Sequence, residues 1–226
     1  MSLVTWKDLV IDAVDAAASA QFWAERLRLR REVLGDGTAA VLRGDDPGQT
    51  IWINGVPEPK TVKNRVHLDV WETSLEPFGA LERLGEPGEC SWTTFCDPEG
   101  NEFCVFVKDG AVPGFKALEI DAADHLVIST WWADVLGGRL VCDDGDAYSS
   151  VEDVPGLPGE GLDFAPVPEP KAVKNRVHWD VRLNPGASVR DLRDRGAMLL
   201  RAAGDDEPWT VMADPEGNEF CVFDAE

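Results

Sequence analysis

The sequence has few basic residues: 21 Lys and Arg stand against 42 Asp and Glu, which gives the 226-residue chain a formal net charge of -21. Nucleic acids and anionic lipid surfaces repel such a chain, so we expect neither as a partner. No apolar run approaches the roughly 20 residues that span a membrane, and Lys7 and Asp8 interrupt what would be the apolar region of a signal sequence. We therefore expect a cytoplasmic protein with no membrane partner.

Cysteines are few and scattered. The five that are present form no CxxC pair, and their odd number and uneven spacing argue against a disulfide framework and against a structural zinc site. The sequence also has no serine-histidine-acid motif, phosphate-binding loop or dinucleotide-binding fingerprint. The internal pattern of the chain is therefore the main evidence for its function.

The chain contains a long internal repeat. The segment VPEPKTVKNRVHLDV at 56–70 recurs as VPEPKAVKNRVHWDV at 167–181, with 13 of 15 positions identical. A second pair, WTTFCDPEGNEFCVF at 92–106 and WTVMADPEGNEFCVF at 209–223, matches at 12 of 15 positions. Because a Gly/Pro-rich stretch at 110–114 separates the two copies, the repeat predicts two homologous domains, residues 1–110 and 115–226.

Each half reads as a strand, a helix and further strands, and then repeats that order. Asp15 and Asp124 are predicted to cap the first helix of each half. Alternation of apolar and polar residues over 64–70 predicts a strand with Arg65, His67 and Asp69 on one face. We also expect helices at 75–84 and 188–195. A strand at 198–202 in the second half has no full counterpart in the first, where the chain is six residues shorter.

This arrangement, with NRVHLDV opening the second unit of a half and DPEGNEFCVF closing it, resembles the glyoxalase-like, or vicinal oxygen chelate, superfamily. The resemblance implies an α+β fold of four βαβββ modules that form two tandem glyoxalase-like domains with cupped mixed sheets. In that superfamily a cup holds a divalent metal or an organic ligand. Because its members include lyases, epimerases, ring-cleaving dioxygenases and metal-free antibiotic-binding proteins, the fold alone does not select the chemistry.

The resemblance also implies where metal ligands would stand, on the first and last strands of the modules. A divalent Zn, Ni or Fe ion is the cofactor that these residue types suit. His67 and His178 occupy the position of a ligand histidine, whereas the place of the usual glutamate on the closing strand holds a cysteine. The candidate metal ligands are His67, His178, Asp12, Asp121, Cys104 and Cys221.

Two classes of function follow from these residues. In the first, the protein is a lyase, isomerase or dioxygenase acting on a small organic molecule, with His67 and His178 as ligands or general bases and Glu102 and Glu219 as acid/base partners. In the second, it is a metal-free protein that binds or sequesters a small molecule. The residues expected to contact the ligand in either case are Arg65, Arg176, Asp69, Asp180, Trp52 and Trp179.

Structural roles are the alternative for the same residues. The histidines could be satisfied by neighbouring groups in their strands, the cysteines could be small buried apolar residues, and the repeated segments could mark contacts between the halves. One half could also be active while the other is only its structural partner, and the shorter first half is then the candidate for the inactive one. We expect either a monomer that contains a pseudo-dimer or a homodimer.

Overall fold

The computed structural model describes residues 2–35, 37–86, 88–142 and 147–225. Four successive modules make up this part of the chain. The first module contains β1 (Val4–Ala13), α1 (Ala16–Leu27), β2 (Arg30–Leu34), β3 (Ala39–Arg43) and β4 (Thr50–Gly55). The second contains β5 (Val66–Glu72), β6 (Arg83–Leu84), β7 (Thr93–Cys96) and β8 (Glu102–Val107).

The second half of the chain repeats this order. The third module contains β9 (Gly114–Ala122), α2 (His125–Leu136), β10 (Arg139–Cys142), β11 (Ser149–Glu152) and β12 (Gly161–Pro166). The fourth contains β13 (Val177–Leu183), α3 (Val189–Asp194), β14 (Met198–Arg201), β15 (Thr210–Ala213) and β16 (Glu219–Phe223). The fold is thus α+β, and its strands form two eight-stranded mixed sheets.

Each sheet joins modules from different halves of the chain. Sheet A has the order β14-β15-β16-β13-β1-β4-β3-β2, and sheet B has the order β10-β11-β12-β9-β5-β8-β7-β6. The first strands of two modules therefore meet antiparallel at each centre, β1 with β13 and β5 with β9. Each cup consequently closes across the two halves, because module one pairs with module four and module two with module three.

The helices and one face of each sheet form a continuous apolar core. Both predicted caps are present, since the side chains of Asp15 and Asp124 accept hydrogen bonds from the first turns of α1 and α2. Trp23 of α1 and Trp132 of α2 are fully buried against aromatic rings of the strands. Because side chains alternate along a strand, the opposite face of each sheet is left for polar residues. We call these two polar faces cup A and cup B after their sheets.

The helix predicted at 75–84 is wrong. The structure has a single 3-10 turn at Glu76–Phe78, followed by the two-residue strand β6. Pro77 and Gly79 lie within this segment, and both residue types are poor helix formers. The counterpart in the fourth module forms α3 and a four-residue strand, so the shortened strand expected in the first half is confirmed. No helix in the described ranges is long and apolar enough to cross a membrane.

Candidate functional site

Each cup contains a histidine, an aspartate and a cysteine that come together from two neighbouring strands. In cup B, His67 and Asp69 lie on β5 and Cys104 lies on β8. Cys104 Sγ is 3.5 Å from His67 Nε2, and Asp69 Oδ1 is 3.8 Å from the same nitrogen. In cup A the matching residues are His178, Asp180 and Cys221, and in each group the candidate ligand atoms lie within 4.8 Å of one another.

Burial sets the protonation of these groups. Desolvation lowers the pKa of His67 to about 4 and raises the pKa of Asp69 to about 7. It also raises the pKa of the Cys104 thiol to about 12. His67 Nδ1 and Asp69 Oδ1 are buried without a hydrogen-bond partner among the described residues. Because buried polar atoms are normally satisfied, these two atoms point to a bound group.

The same pattern holds in cup A. Desolvation lowers the pKa of His178 to about 4 and raises the pKa of Asp180 to about 7. Burial raises the pKa of the Cys221 thiol as well. His178 Nδ1 and Asp180 Oδ1 are buried and have no hydrogen-bond partner in the described part of the chain. Both histidines are therefore neutral near pH 7 and able to act as ligands.

Cup B adds two carboxylates that the sequence reasoning missed. Glu119 on β9 faces His67 across the strand pair, and Asp163 lies beside Glu119 on β12. One carboxylate oxygen from each of Asp69, Glu119 and Asp163 lies within 4.8 Å of the others. Burial, followed by the charges of Asp69 and Asp163, raises the pKa of Glu119 to about 8. Lys116 Nζ lies 3.7 Å from Asp69 and 3.4 Å from Asp163.

Cup A lacks these two carboxylates. The strand registers place Val10 opposite His178 and Trp52 beside Val10, at the positions that Glu119 and Asp163 hold in cup B. Comparing the halves for identical residues could not reveal Glu119 and Asp163, because neither is repeated. Lys116 does have a repeat counterpart, Lys7, and could have been found in that way.

The glutamates predicted as acid/base partners hold main-chain segments in place. Glu102 accepts hydrogen bonds from Lys60 Nζ, at 2.7 Å, and from the backbone N–H of Asn64, at 3.1 Å. Glu219 accepts the same pair of bonds from Lys171 and from the backbone of Asn175. These contacts give a structural role to Lys60 and Asn64 of the long repeat and to their counterparts, Lys171 and Asn175.

The arginines predicted as ligand contacts join the two halves. Arg65 donates to the carbonyl oxygens of Glu169, at 2.6 Å, and Asp121, at 2.8 Å. Arg176 makes the reciprocal bonds to the carbonyls of Glu58 and Asp12. These segments surround a cavity of about 730 Å³ between the halves. The repeated sequence therefore marks contacts between the halves.

The remaining predicted residues divide between the cup and the core. The carboxylates of Asp12 and Asp121 pair with Lys174 and Lys63 at the cavity between the halves, and neither belongs to the triads. Trp179 as a ligand contact is wrong, because it lies on the core face of β13 and is fully buried against Trp132. Trp52 does lie on the face of cup A, where its Nε1 donates to Asp8.

The donor set of cup B fits a divalent metal. A neutral imidazole and carboxylates are ligands for zinc, nickel or iron, and the Cys104 thiol becomes one when it loses its proton. Ligand atoms of a tetrahedral zinc with bonds of about 2.0–2.3 Å stand roughly 3.3–3.6 Å apart. The separations of 3.5 and 3.8 Å around His67 Nε2 are close to that spacing.

Comparison with known proteins gives the same fold. A family model described as a glyoxalase-like domain matches the chain twice, over residues 8–106 and 117–223. Glyoxalase I from Zea mays is 12% identical and superposes with a TM-score of 0.69, covering 98% of this chain and 92% of that one. The cppA protein from Streptococcus pneumoniae TIGR4 is 11% identical, with a TM-score of 0.54 and coverage of 99% of both chains. A search of curated proteins gave no match.

Proposed function

We propose, from the premise that the chain belongs to the glyoxalase-like domain family, that cup B is the divalent-metal site of an enzyme. The reaction would be of the lyase, isomerase or dioxygenase type on a small organic molecule. The observation that carries this proposal is a pair of candidate ligand groups that share Asp69: His67 and Cys104 lie with it in one group, and Glu119 and Asp163 lie with it in the other. Asp69 is buried and Glu119 and Asp163 are half-buried, so fixing their carboxylates close together is costly unless a cation offsets their charge.

The residues of cup B divide into groups that would hold the metal and a group that braces the main chain. Asp69, Glu119 and Asp163 would hold the metal, because one carboxylate oxygen from each lies within 4.8 Å of the others, and His67 Nε2 lies 3.8 Å from Asp69 as a further donor. The metal would supply Lewis-acid polarisation of a substrate oxygen. Asp69, which belongs to both groups of candidate ligands, has a pKa of about 7, so it can lose its proton and bind a cation near neutral pH. Glu102 and Glu219 serve better as braces, given their lysine partners.

A metal-free binding protein is the second candidate, and one observation favours it. The Lys116 ammonium already lies 3.4–3.8 Å from three carboxylates, those of Asp69, Glu160 and Asp163. It therefore neutralises part of the charge that would otherwise attract a metal. In this case the same residues would orient an organic ligand without further chemistry.

Metal content separates the two candidates. The chain would be purified without chelator, dialysed and analysed by inductively coupled plasma mass spectrometry, beside the variants His67→Ala and His178→Ala. We expect about one equivalent of a transition metal, lost in His67→Ala and retained in His178→Ala. A folded wild-type chain without metal, which also takes none up from added zinc, nickel or iron, would contradict the enzyme proposal and support metal-free binding. Equal loss in both variants would contradict the assignment to cup B.

A further inference from the structure

Cup A differs from cup B in its formal charge, and it also lacks the carboxylates that Glu119 and Asp163 provide in cup B. The strand registers identify seven positions that are equivalent in the two cups. In cup B they hold Lys116, Ala117, Glu119, Asp163, Asp69, Trp71 and Glu152, with a formal charge of -3. In cup A they hold Lys7, Asp8, Val10, Trp52, Asp180, Arg182 and Arg43, with a formal charge of +1. A chain with a net charge of -21 thus carries a locally basic cup.

Three cations of cup A lie over aromatic rings. The Arg43 guanidinium is 5.8 Å from the centre of the Trp52 ring, and Lys7 Nζ is 4.1 Å from the centre of Phe223. The Arg201 guanidinium is 5.7 Å from the centre of Trp209. Each pair is within the range of cation-π attraction, which holds the cation in place beside a flat apolar surface.

These pairs form one connected surface. Trp52 Nε1 donates to Asp8 at 3.0 Å, and Asp8 forms an ion pair with Lys7. The rings of Phe223 and Trp209 stack with centres 5.7 Å apart. Arg43 is exposed, and Trp52 and Phe223 are half-buried, so a molecule in the cup can reach them.

A β-bulge brings Lys7 into the cup. Trp6 and Asp8 pair with consecutive residues of β13, so Lys7 is the extra residue between them. Without this bulge, alternation would place Lys7 and Val10 on opposite faces of β1. The same irregularity occurs at Lys116 in β9, between the partners of Asp69 and Val70. Both cups are therefore built to present a lysine, which lies among three carboxylates in cup B and forms an ion pair with Asp8 in cup A.

We propose that cup A is a metal-free binding site for a small aromatic carboxylate. The carboxylate would sit between Lys7 and Arg43, because a guanidinium and an ammonium together offer it charged donors from two strands. The ligand ring would lie against the half-buried rings of Trp52 and Phe223. His178 Nδ1 and Asp180 Oδ1 lie buried in the same cup and lack hydrogen-bond partners within the described ranges. This site does not depend on metal in cup B.

Isothermal titration calorimetry of the full chain with 2-naphthoate tests the proposal, in the presence of chelator. We expect saturable binding of about one equivalent, and no binding of the neutral analogue 2-naphthylmethanol. Lys7→Met and Arg43→Gln should each weaken the affinity at least about tenfold, and Trp52→Asp, which gives cup A the residue of cup B, should abolish binding. Arg43→Gln changes an exposed residue and so leaves the fold intact, which circular dichroism would verify.

Lys116→Met is the matched control in cup B and should leave 2-naphthoate binding unchanged. Three results would overturn the proposal: no heat from 2-naphthoate with the folded wild-type chain, equal binding of the neutral alcohol, or loss of binding in Lys116→Met but not in Lys7→Met. Zinc uptake measured on the same samples is expected to persist in Arg43→Gln, so failure of this site and failure of the metal site are distinguishable.

Discussion

Replacing Asp69 by Asn should make the metal-free protein more stable at high pH. Burial raises the pKa of Asp69 from 3.8 to about 7, so the folded chain prefers the protonated carboxyl. The stability that this group provides is complete below its unfolded pKa and is lost as pH rises through its folded pKa. An asparagine does not ionise and avoids that loss.

The magnitude follows from the size of the shift. One pKa unit corresponds to about 1.4 kcal/mol, so a shift of about 3 units sets an upper bound of about 4 kcal/mol. Part of this loss of stability occurs below pH 5, because the unfolded chain ionises at Asp69 from about pH 4. Between pH 5 and pH 8 we therefore expect the difference in unfolding free energy between Asp69→Asn and wild type to change by about 2–3 kcal/mol, in favour of the variant.

Urea unfolding at the two pH values, followed by tryptophan fluorescence in the presence of chelator, measures this difference. Asp180→Asn is the matched control in cup A, because burial raises the pKa of Asp180 to about 7 as well. Both variants should gain stability with pH relative to wild type. Zinc at about 100 times its dissociation constant should then stabilise wild type and Asp180→Asn by about 2.7 kcal/mol at pH 7.5, and Asp69→Asn by much less.

Two outcomes would refute this reasoning. If the difference between Asp69→Asn and wild type is the same at pH 5 and pH 8, Asp69 is not held in its protonated form by burial. If zinc stabilises Asp69→Asn as much as it does Asp180→Asn, the carboxylate of Asp69 takes no part in a metal site. Each result addresses a different step, so the electrostatic argument and the metal argument can fail separately.

Three further predictions follow from the structure. Glu119→Val gives cup B the residue of cup A and should weaken zinc binding at least about tenfold, because it removes one donor. A competition titration with a chelating dye measures the affinity, and an unchanged value would exclude Glu119 as a ligand. Arg65→Met and Arg176→Met should each lower the free energy of unfolding by about 2–3 kcal/mol, since each variant loses charged hydrogen bonds between the halves. Urea unfolding measures this loss, and an effect under about 0.5 kcal/mol would show that these bonds contribute little. Phe103→Ala, at a fully buried ring, should cost about 3–5 kcal/mol in the same assay, and a smaller loss would mean that the core collapses around the vacancy.

Local patterns in the sequence predicted the local structure well. The caps at Asp15 and Asp124 and the alternation over residues 64–70 were sufficient, because they depend on hydrogen bonds and side-chain directions within a few residues. The helix predicted at 75–84 was wrong, because the apolar residues of this segment suit a helix while Pro77 and Gly79 oppose one. Sequence spacing also could not tell which modules share a sheet, because a repeat identifies equivalent units and not their neighbours.

The candidate site was predicted only in the part that is repeated. His67, Asp69 and Cys104 have counterparts in the other half, so the repeat drew attention to them. Glu119 and Asp163 come from a different half of the chain, and the strand register alone places them beside His67. Identifying them required knowing that β5 pairs with β9, which is a long-range contact that local patterns do not encode.

The near-identity of the two VPEPK segments has a structural cause that explains where the halves differ. Arg65 donates to a main-chain carbonyl of the second half, and Arg176 donates to one of the first half. A change in either segment therefore disturbs a contact that involves both segments. Val10 and Glu119 have no such link, because each faces only its own cup. Identity over the VPEPK segments therefore marks how the chain is assembled, whereas the differences at Val10 and Glu119 distinguish the chemistry of the two cups. On this argument the two cups serve different ligands, a cation among the carboxylates of cup B and an aromatic anion among the cations of cup A.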